Sequence, residues 1–187
     1  MSHKKFSRFV VTCLLVTGTI SFSSLVSAQN AEQVSIPKVG DTAPNFSLQD
    51  FEENEFELSE ATQKRTVLLW FTNLCEGCQS KISDVEKLKS MYENKGVSVV
   101  AISVLGEDRE TVETLIKKYN TTFQFLYDPH GSTTEIYSGK YIPGTCPMKN
   151  IFIISRSSKI AFASHLPGIE VNELIEQLNN VIKGEQQ

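Results

Sequence analysis

Apolar and polar positions alternate on both sides of an acidic turn early in the chain. Phe46-Ser47-Leu48 leads into residues 50–54 and Glu55-Phe56-Glu57-Leu58 leads out, the period-two signature of a β-hairpin. Residues 66–72, Thr-Val-Leu-Leu-Trp-Phe-Thr, are a nearly unbroken apolar run of strand length, as in a strand buried on both faces. Ile82, Val85, Leu88 and Met91 with Tyr92 then recur at helical spacing, and Gly96 supplies a stop signal. Residues 97–103 form a second buried run. Val112, Leu115, Ile116 and Tyr119 mark a second helix, opened by Glu107, Asp108 and Glu110, whose charges suit a helix N-terminus. Residues 123–127 predict a third strand, and Asp128-Pro129-His130-Gly131 a turn into a short helix ending near Tyr137. Residues 151–154 and 160–163 flank residues 155–159 as a hairpin, and Val171, Leu174, Ile175, Leu178 and Ile182 close the chain as an amphipathic helix.

After the first hairpin the order is β-α-β-α-β and then β-β-α. Strands alternating with helices imply parallel pairing, and the late hairpin adds antiparallel strands. The expectation is an α/β fold, a mixed sheet with helices on both faces.

Ahead of this pattern stands a segment of another kind. Lys4, Lys5 and Arg8 precede an apolar run of 12 residues, 9–20, followed by small residues ending Val26-Ser27-Ala28-Gln29. This is the layout of a secretory signal peptide, and the run is short of the ~20 residues that span a membrane. Residues 1–28 are read as cleaved, with an uncleaved membrane anchor as the lesser reading; Cys13, in mid-run, is filler. Residues 29–40 are polar and read as loosely held, leaving residues 41–187 as one domain. The leader takes three of the 18 basic residues and no acid, so 15 bases face 22 acids, a net charge of −7. An acidic chain without a basic cluster offers no footing for nucleic acid. Three cysteines remain, Cys75, Cys78 and Cys146, an odd number that a simple disulfide framework does not use up.

Asn73-Leu74-Cys75-Glu76-Gly77-Cys78 joins the first buried strand to the first helix. A strand that delivers Cys-x-x-Cys to a helix start exposes the first sulfur and sets it near unsatisfied backbone N–H groups, which favour a thiolate. Free cysteine titrates near ~8.5 and cysteines so placed fall to ~3.5–7.5. Cys75 is thus read as the attacking thiol and Cys78, one turn on, as the resolving one.

These features resemble the thioredoxin-like superfamily, in the redoxin branch shared by TlpA- and ResA-type thiol-disulfide oxidoreductases and the peroxiredoxins. Val39-Gly40-Asp41-Thr42-Ala43-Pro44-Asn45-Phe46 resembles the entry motif of that branch, residues 67–78 its strand and active-site motif, and Tyr127-Asp128-Pro129-His130-Gly131 its later turn. The resemblance implies a three-layer thioredoxin-like fold with an N-terminal hairpin extension. Cys-Glu-Gly-Cys is similar to the acidic C-E-P-C form, with Gly77 for proline and Leu74 for the usual tryptophan; Glu76 opposes the thiolate and tunes the pair.

The resemblance also implies a cis-proline opposite the pair, and Gly144-Thr145-Cys146-Pro147-Met148 occupies the matching region. Pro147 as that proline would set Cys146 facing Cys75. Three readings of Cys146 stay open: a small packed residue, a redox thiol able to pair with Cys75, or a ligand joining Cys75, Cys78 and the Met148 thioether around a soft ion such as copper. Thr72-Asn73-Leu74-Cys75 also resembles the peroxiredoxin T-x-x-C, whose threonine helps hold the peroxide, but Leu68 stands where that family has proline, and no arginine stands where its peroxide-site arginine is expected, although Arg156 follows a late strand. His130 is read as solvated, His165 as structural and Trp70 as core.

The function expected is exported, periplasmic thiol-disulfide exchange, with a disulfide-bearing protein as substrate and a thiol or membrane electron-transfer partner resetting the dithiol. No cofactor is expected beyond the Cys75–Cys78 disulfide. A thiol peroxidase with Cys75 as its peroxidatic thiol is the alternative, and copper binding the second.

Overall fold

The computed structural model describes residues 35–104, 108–140, 142, 145, 146 and 148–186. The leader 1–28, residues 29–34 of the polar segment, and Pro147 lie outside the described residues. Among those described, no helix is long and apolar enough to cross a membrane.

The elements run β1 (Ser47–Asp50), β2 (Glu55–Glu57), α1 (Leu58–Lys64), β3 (Thr66–Thr72), α2 (Glu76–Gln79), α3 (Ile82–Tyr92), β4 (Val97–Ser103), α4 (Arg109–Tyr119), β5 (Gln124–Tyr127), α5 (Ser132–Ser138), β6 (Ile151–Ile154), β7 (Ile160–Ser164) and α6 (Val171–Gly184). The strands form one sheet in the order β2-β1-β5-β4-β3-β6-β7. β3, β4 and β5 are parallel, while β6 and β7 on one flank and β1 and β2 on the other are antiparallel. The mixed sheet of the sequence reading is present, with the early hairpin extending it beyond β5.

β3 lies at the heart of the sheet and is buried at every residue. Its alternation assigns the two cores. Leu68 and Trp70 pack with Val85 and Leu88 of α3, Val112 of α4 and Leu174 and Leu178 of α6; Val67, Leu69 and Phe71 pack with Leu58 of α1 and Tyr137 of α5. Helices therefore cover both faces, giving three layers.

Two local expectations are corrected. Leu58 is not the last residue of the outgoing strand but the first of α1, a helix the apolar pattern did not announce. Only Leu58 and Thr62 of α1 are buried, and Glu57 makes no side-chain cap. The helix after the cysteines is also interrupted: α2 ends at Gln79 and α3 begins at Ile82. Elsewhere the local chemistry is as read. Asp108 caps α4 by accepting the Thr111 N–H at 3.2 Å, and the Gly96 stop is left-handed at φ 80°.

The entry segment is bound to the late hairpin. The Gly40 N–H donates to the Ile160 carbonyl at 2.8 Å, and Ala43 to that of Ser158 at 2.8 Å. At the same hairpin Arg156 bonds Glu185, which follows α6, through its Nε at 3.1 Å.

Candidate active site

The site is built where β3 gives way to α2. Cys75 is the N-cap residue of α2, half-exposed, and Cys78 lies one turn on with no exposure. Between strand and helix the chain turns through Leu74, a buried non-glycine residue at φ 52°. That left-handed conformation costs a branched side chain about 1–2 kcal/mol and persists only where its surroundings hold it. Here they do: the Leu74 N–H donates to the Thr72 hydroxyl at 3.0 Å, and the Leu74 carbonyl accepts from Gln79 Nε2 at 2.7 Å. Gln79 is itself oriented by Tyr119 of α4, whose hydroxyl donates to Gln79 Oε1 at 2.8 Å.

Cys146 arrives from a loop 68 residues further on. Its sulfur lies 3.5 Å from that of Cys78, and the sulfurs of Cys75, Cys78 and Cys146 all lie within 4.8 Å of one another. The third thiol is therefore in contact with the buried Cys78 as well as near the outer Cys75. No histidine, aspartate or glutamate joins this group among the described residues. His130 is exposed, and His165 is half-buried at the end of β7.

Two asparagines, neither singled out from the sequence, hold the arrangement. Asn73 accepts the Cys75 N–H at 3.2 Å and donates through Nδ2 to the Thr145 carbonyl at 3.0 Å, tying the corner to the Cys146 loop. Asn150, fully buried, accepts the Leu166 N–H at 2.7 Å through Oδ1. Its Nδ2 is thereby turned to the sulfurs, 3.4 Å from Cys146 and 4.0 Å from Cys78. The Asn150 carbonyl also accepts the Phe71 N–H at 2.7 Å, so its place is set by the β3–β6 pairing. The signal available was an asparagine directly before an all-apolar strand; its role follows only from the sheet order.

Burial pushes the Cys78 thiol well above the ordinary cysteine range, against a hydrogen bond from Thr72, and the Cys146 and Cys75 sulfurs add to the rise. Cys146 is raised by burial too, with hydrogen bonds from Cys78 and Asn150 opposing. Cys78 is thus a protonated, protected thiol behind an accessible one.

The remaining candidates fall at different distances from this chemistry. Glu76 is exposed at the first turn of α2. Thr72 is fully buried, its hydroxyl engaged by Leu74 and Cys78. Met148 is 86% exposed, so its thioether is not packed among the three sulfurs. Arg156 lies beyond the end of β6 remote from Asn150. Trp70 is fully buried in the cluster that contains Cys78 and Leu74.

Known proteins match this picture. ResA, a thiol-disulfide oxidoreductase of Geobacillus thermodenitrificans, is 26% identical over 84% of this chain and 87% of its own length. Among solved structures, a candidate DsbE-type thiol:disulfide interchange protein from Chlorobium tepidum superposes with a TM-score of 0.67 at 24% identity, covering 79% of this chain and 99% of that one. The peroxidoxin BcpB of Mycobacterium tuberculosis has a TM-score of 0.63 at 19% identity, over 79% and 97%. Both structures share the thioredoxin-like fold. The AhpC/TSA family model matches residues 39–163, from the entry segment tied to the late hairpin through Cys75, Cys78 and Cys146 to β7. With two thirds of its length under that model and the fold to match, the chain belongs to the AhpC/TSA family.

Proposed function

We propose that this protein is an exported thiol-disulfide oxidoreductase acting through Cys75 and Cys78. The observation that carries the reading is the pairing of a half-exposed thiol at a helix start with a fully buried thiol one turn behind it, their sulfurs within 4.8 Å. The Cys75 thiolate attacks one sulfur of a substrate disulfide; the S–S bond breaks, a substrate thiol leaves, and a mixed disulfide forms. Cys78 then attacks the Cys75 sulfur, its proton ending on the second departing substrate sulfur. Two electrons pass to the substrate and a Cys75–Cys78 disulfide remains, which a partner thiol or membrane electron donor must reduce.

A protein substrate suits the surroundings. Ile142, 60% exposed, and Met148 flank Cys146 on the same loop and offer apolar footing to an extended segment. Export rests on the basic, apolar and small-residue pattern of residues 1–28, and the ResA name of the sequence relative supports the activity.

The peroxidase alternative draws on the T-x-x-C spacing and on the family's peroxiredoxin side. Against it stand a threonine hydroxyl already occupied by Leu74 and Cys78, and Arg156 occupied by Glu185. The test is insulin reduction by the reduced protein. Cys75→Ser should abolish it, and Cys78→Ser should accumulate a mixed disulfide with substrate. Unchanged reduction by Cys75→Ser sinks the proposal; peroxide consumption that needs Cys75 and survives loss of Cys78 replaces it with the peroxidase.

A further inference from the structure

We propose that Cys75, Cys78 and Cys146 of the reduced protein form a three-sulfur site for monovalent copper, whether or not the same pair also exchanges disulfides. The three sulfurs come from two remote segments and converge within 4.8 Å of one another, with Cys78 and Cys146 at 3.5 Å. A metal–sulfur bond of ~2.3 Å sets the sulfurs of a trigonal site about 4.0 Å apart, inside the range seen here. An ion could therefore be seated by side-chain adjustments of less than about an ångström, with the backbone left in place.

The donor set selects the ion. On binding, the thiols give up their protons to solvent, the resulting thiolate sulfurs favour soft ions, and no carboxylate or imidazole among the described residues belongs to the group. A structural zinc takes four protein ligands, whereas three thiolates suit the softer Cu(I). The half-exposed Cys75 leaves an approach from solvent.

The supporting shell is present as well. Asn73 anchors the Cys146 loop through the Thr145 carbonyl, and the buried Asn150 amide, held in orientation by Leu166, donates toward the Cys146 and Cys78 sulfurs. Ligating groups oriented by such outer partners are the mark of a built site. Forming the Cys75–Cys78 disulfide consumes two of the three donors, so the ion and the disulfide exclude each other and only the reduced protein binds.

The test uses the full chain carrying Cys13→Ser, reduced without oxygen and titrated with Cu(I) against bathocuproine disulfonate. One ion per chain is expected, with X-ray absorption giving three sulfur neighbours at ~2.3 Å. Cys146→Ser should weaken binding by roughly a hundredfold or more, the upper end of what even outer-shell changes cost, while circular dichroism reports an unchanged fold. Two sulfur neighbours in the unsubstituted site, equal affinity in Cys146→Ser, or no binding overturns the proposal. The absorption measurement decides the matter even if the variant does not fold. Insulin reduction by the metal-free chain is measured in parallel: copper binding without reduction sinks only the oxidoreductase reading, and reduction without copper binding sinks only the copper site.

Discussion

The backbone N–H of Leu166 donates to the side-chain oxygen of Asn150 at 2.7 Å, and through that bond it decides which end of the amide meets the cysteines. Asn150→Asp keeps the acceptor for Leu166 and replaces the donor facing the sulfurs with a repelling oxygen. The reduced dithiol should lose stabilisation and the reduction potential should fall by about 10–30 mV, since a hydrogen bond between neutral groups is worth ~0.5–1.5 kcal/mol and ~1.4 kcal/mol is about 30 mV. Redox titration against glutathione checks this. Asn150→Leu instead strands the Leu166 N–H and should cost about 1–3 kcal/mol in urea unfolding.

Gln79 restrains the left-handed Leu74 from one side and meets Tyr119 on the other. Gln79→Leu should lower stability by about 1–2 kcal/mol and slow insulin reduction, because the corner that presents Cys75 loses a tether. Tyr119→Phe should cost less, since Gln79 still reaches the Leu74 carbonyl. An equal loss in both variants would place the restraint elsewhere.

Tyr137 is buried, its hydroxyl donating to the Pro44 carbonyl at 2.6 Å, and burial raises its pKa well above the ordinary tyrosine value. The unfolded chain therefore releases this proton first as pH rises, and so it does for Cys78, also raised by burial. Stability attributable to these groups is whole below about pH 8.5 and is lost above it, the tyrosine share from about pH 10, at up to ~1.4 kcal/mol per pH unit for each group. Tyr137→Phe should be about 1 kcal/mol less stable at pH 7 and should decline less steeply above pH 10. Urea midpoints across pH 7–11 separate the two effects.

Gly77 stands where the related motif has proline, yet its backbone is not left-handed. A methyl group there would meet Pro167 Cβ at 3.7 Å and the Cys75 sulfur at 4.0 Å, both ordinary contacts. Gly77→Ala should be tolerated and raise the melting temperature, by up to about 1 kcal/mol in stability, with the Cys75–Cys78 chemistry retained. A destabilised variant would mean that α2 needs the freedom of glycine.

The long apolar runs were legible because burial on both faces leaves no other use for such segments: residues 66–72 are β3 to the residue. The cysteine corner was legible for the same reason, as the end of that strand. α1 was not, because it buries one leucine and one threonine and has no capping signal at Glu57. Asn73 and Asn150 were out of reach for a different reason. Each owes its role to a partner placed by the fold, Thr145 at 72 residues' separation and Cys78 at 72, and no local pattern distinguishes such an asparagine from a loop residue.

The separation of the three cysteines along the chain has a kinetic side. Cys75 and Cys78 are three residues apart, whereas Cys146 meets Cys78 across 68 residues, and only once β6 has docked on β3. In an unfolded chain exposed to an oxidant the near pair closes first, favoured by roughly 3 kcal/mol of loop entropy at about 0.6 kcal/mol per doubling of length. On that count a newly made chain meeting an oxidant should reach its sheet with the third thiol still free.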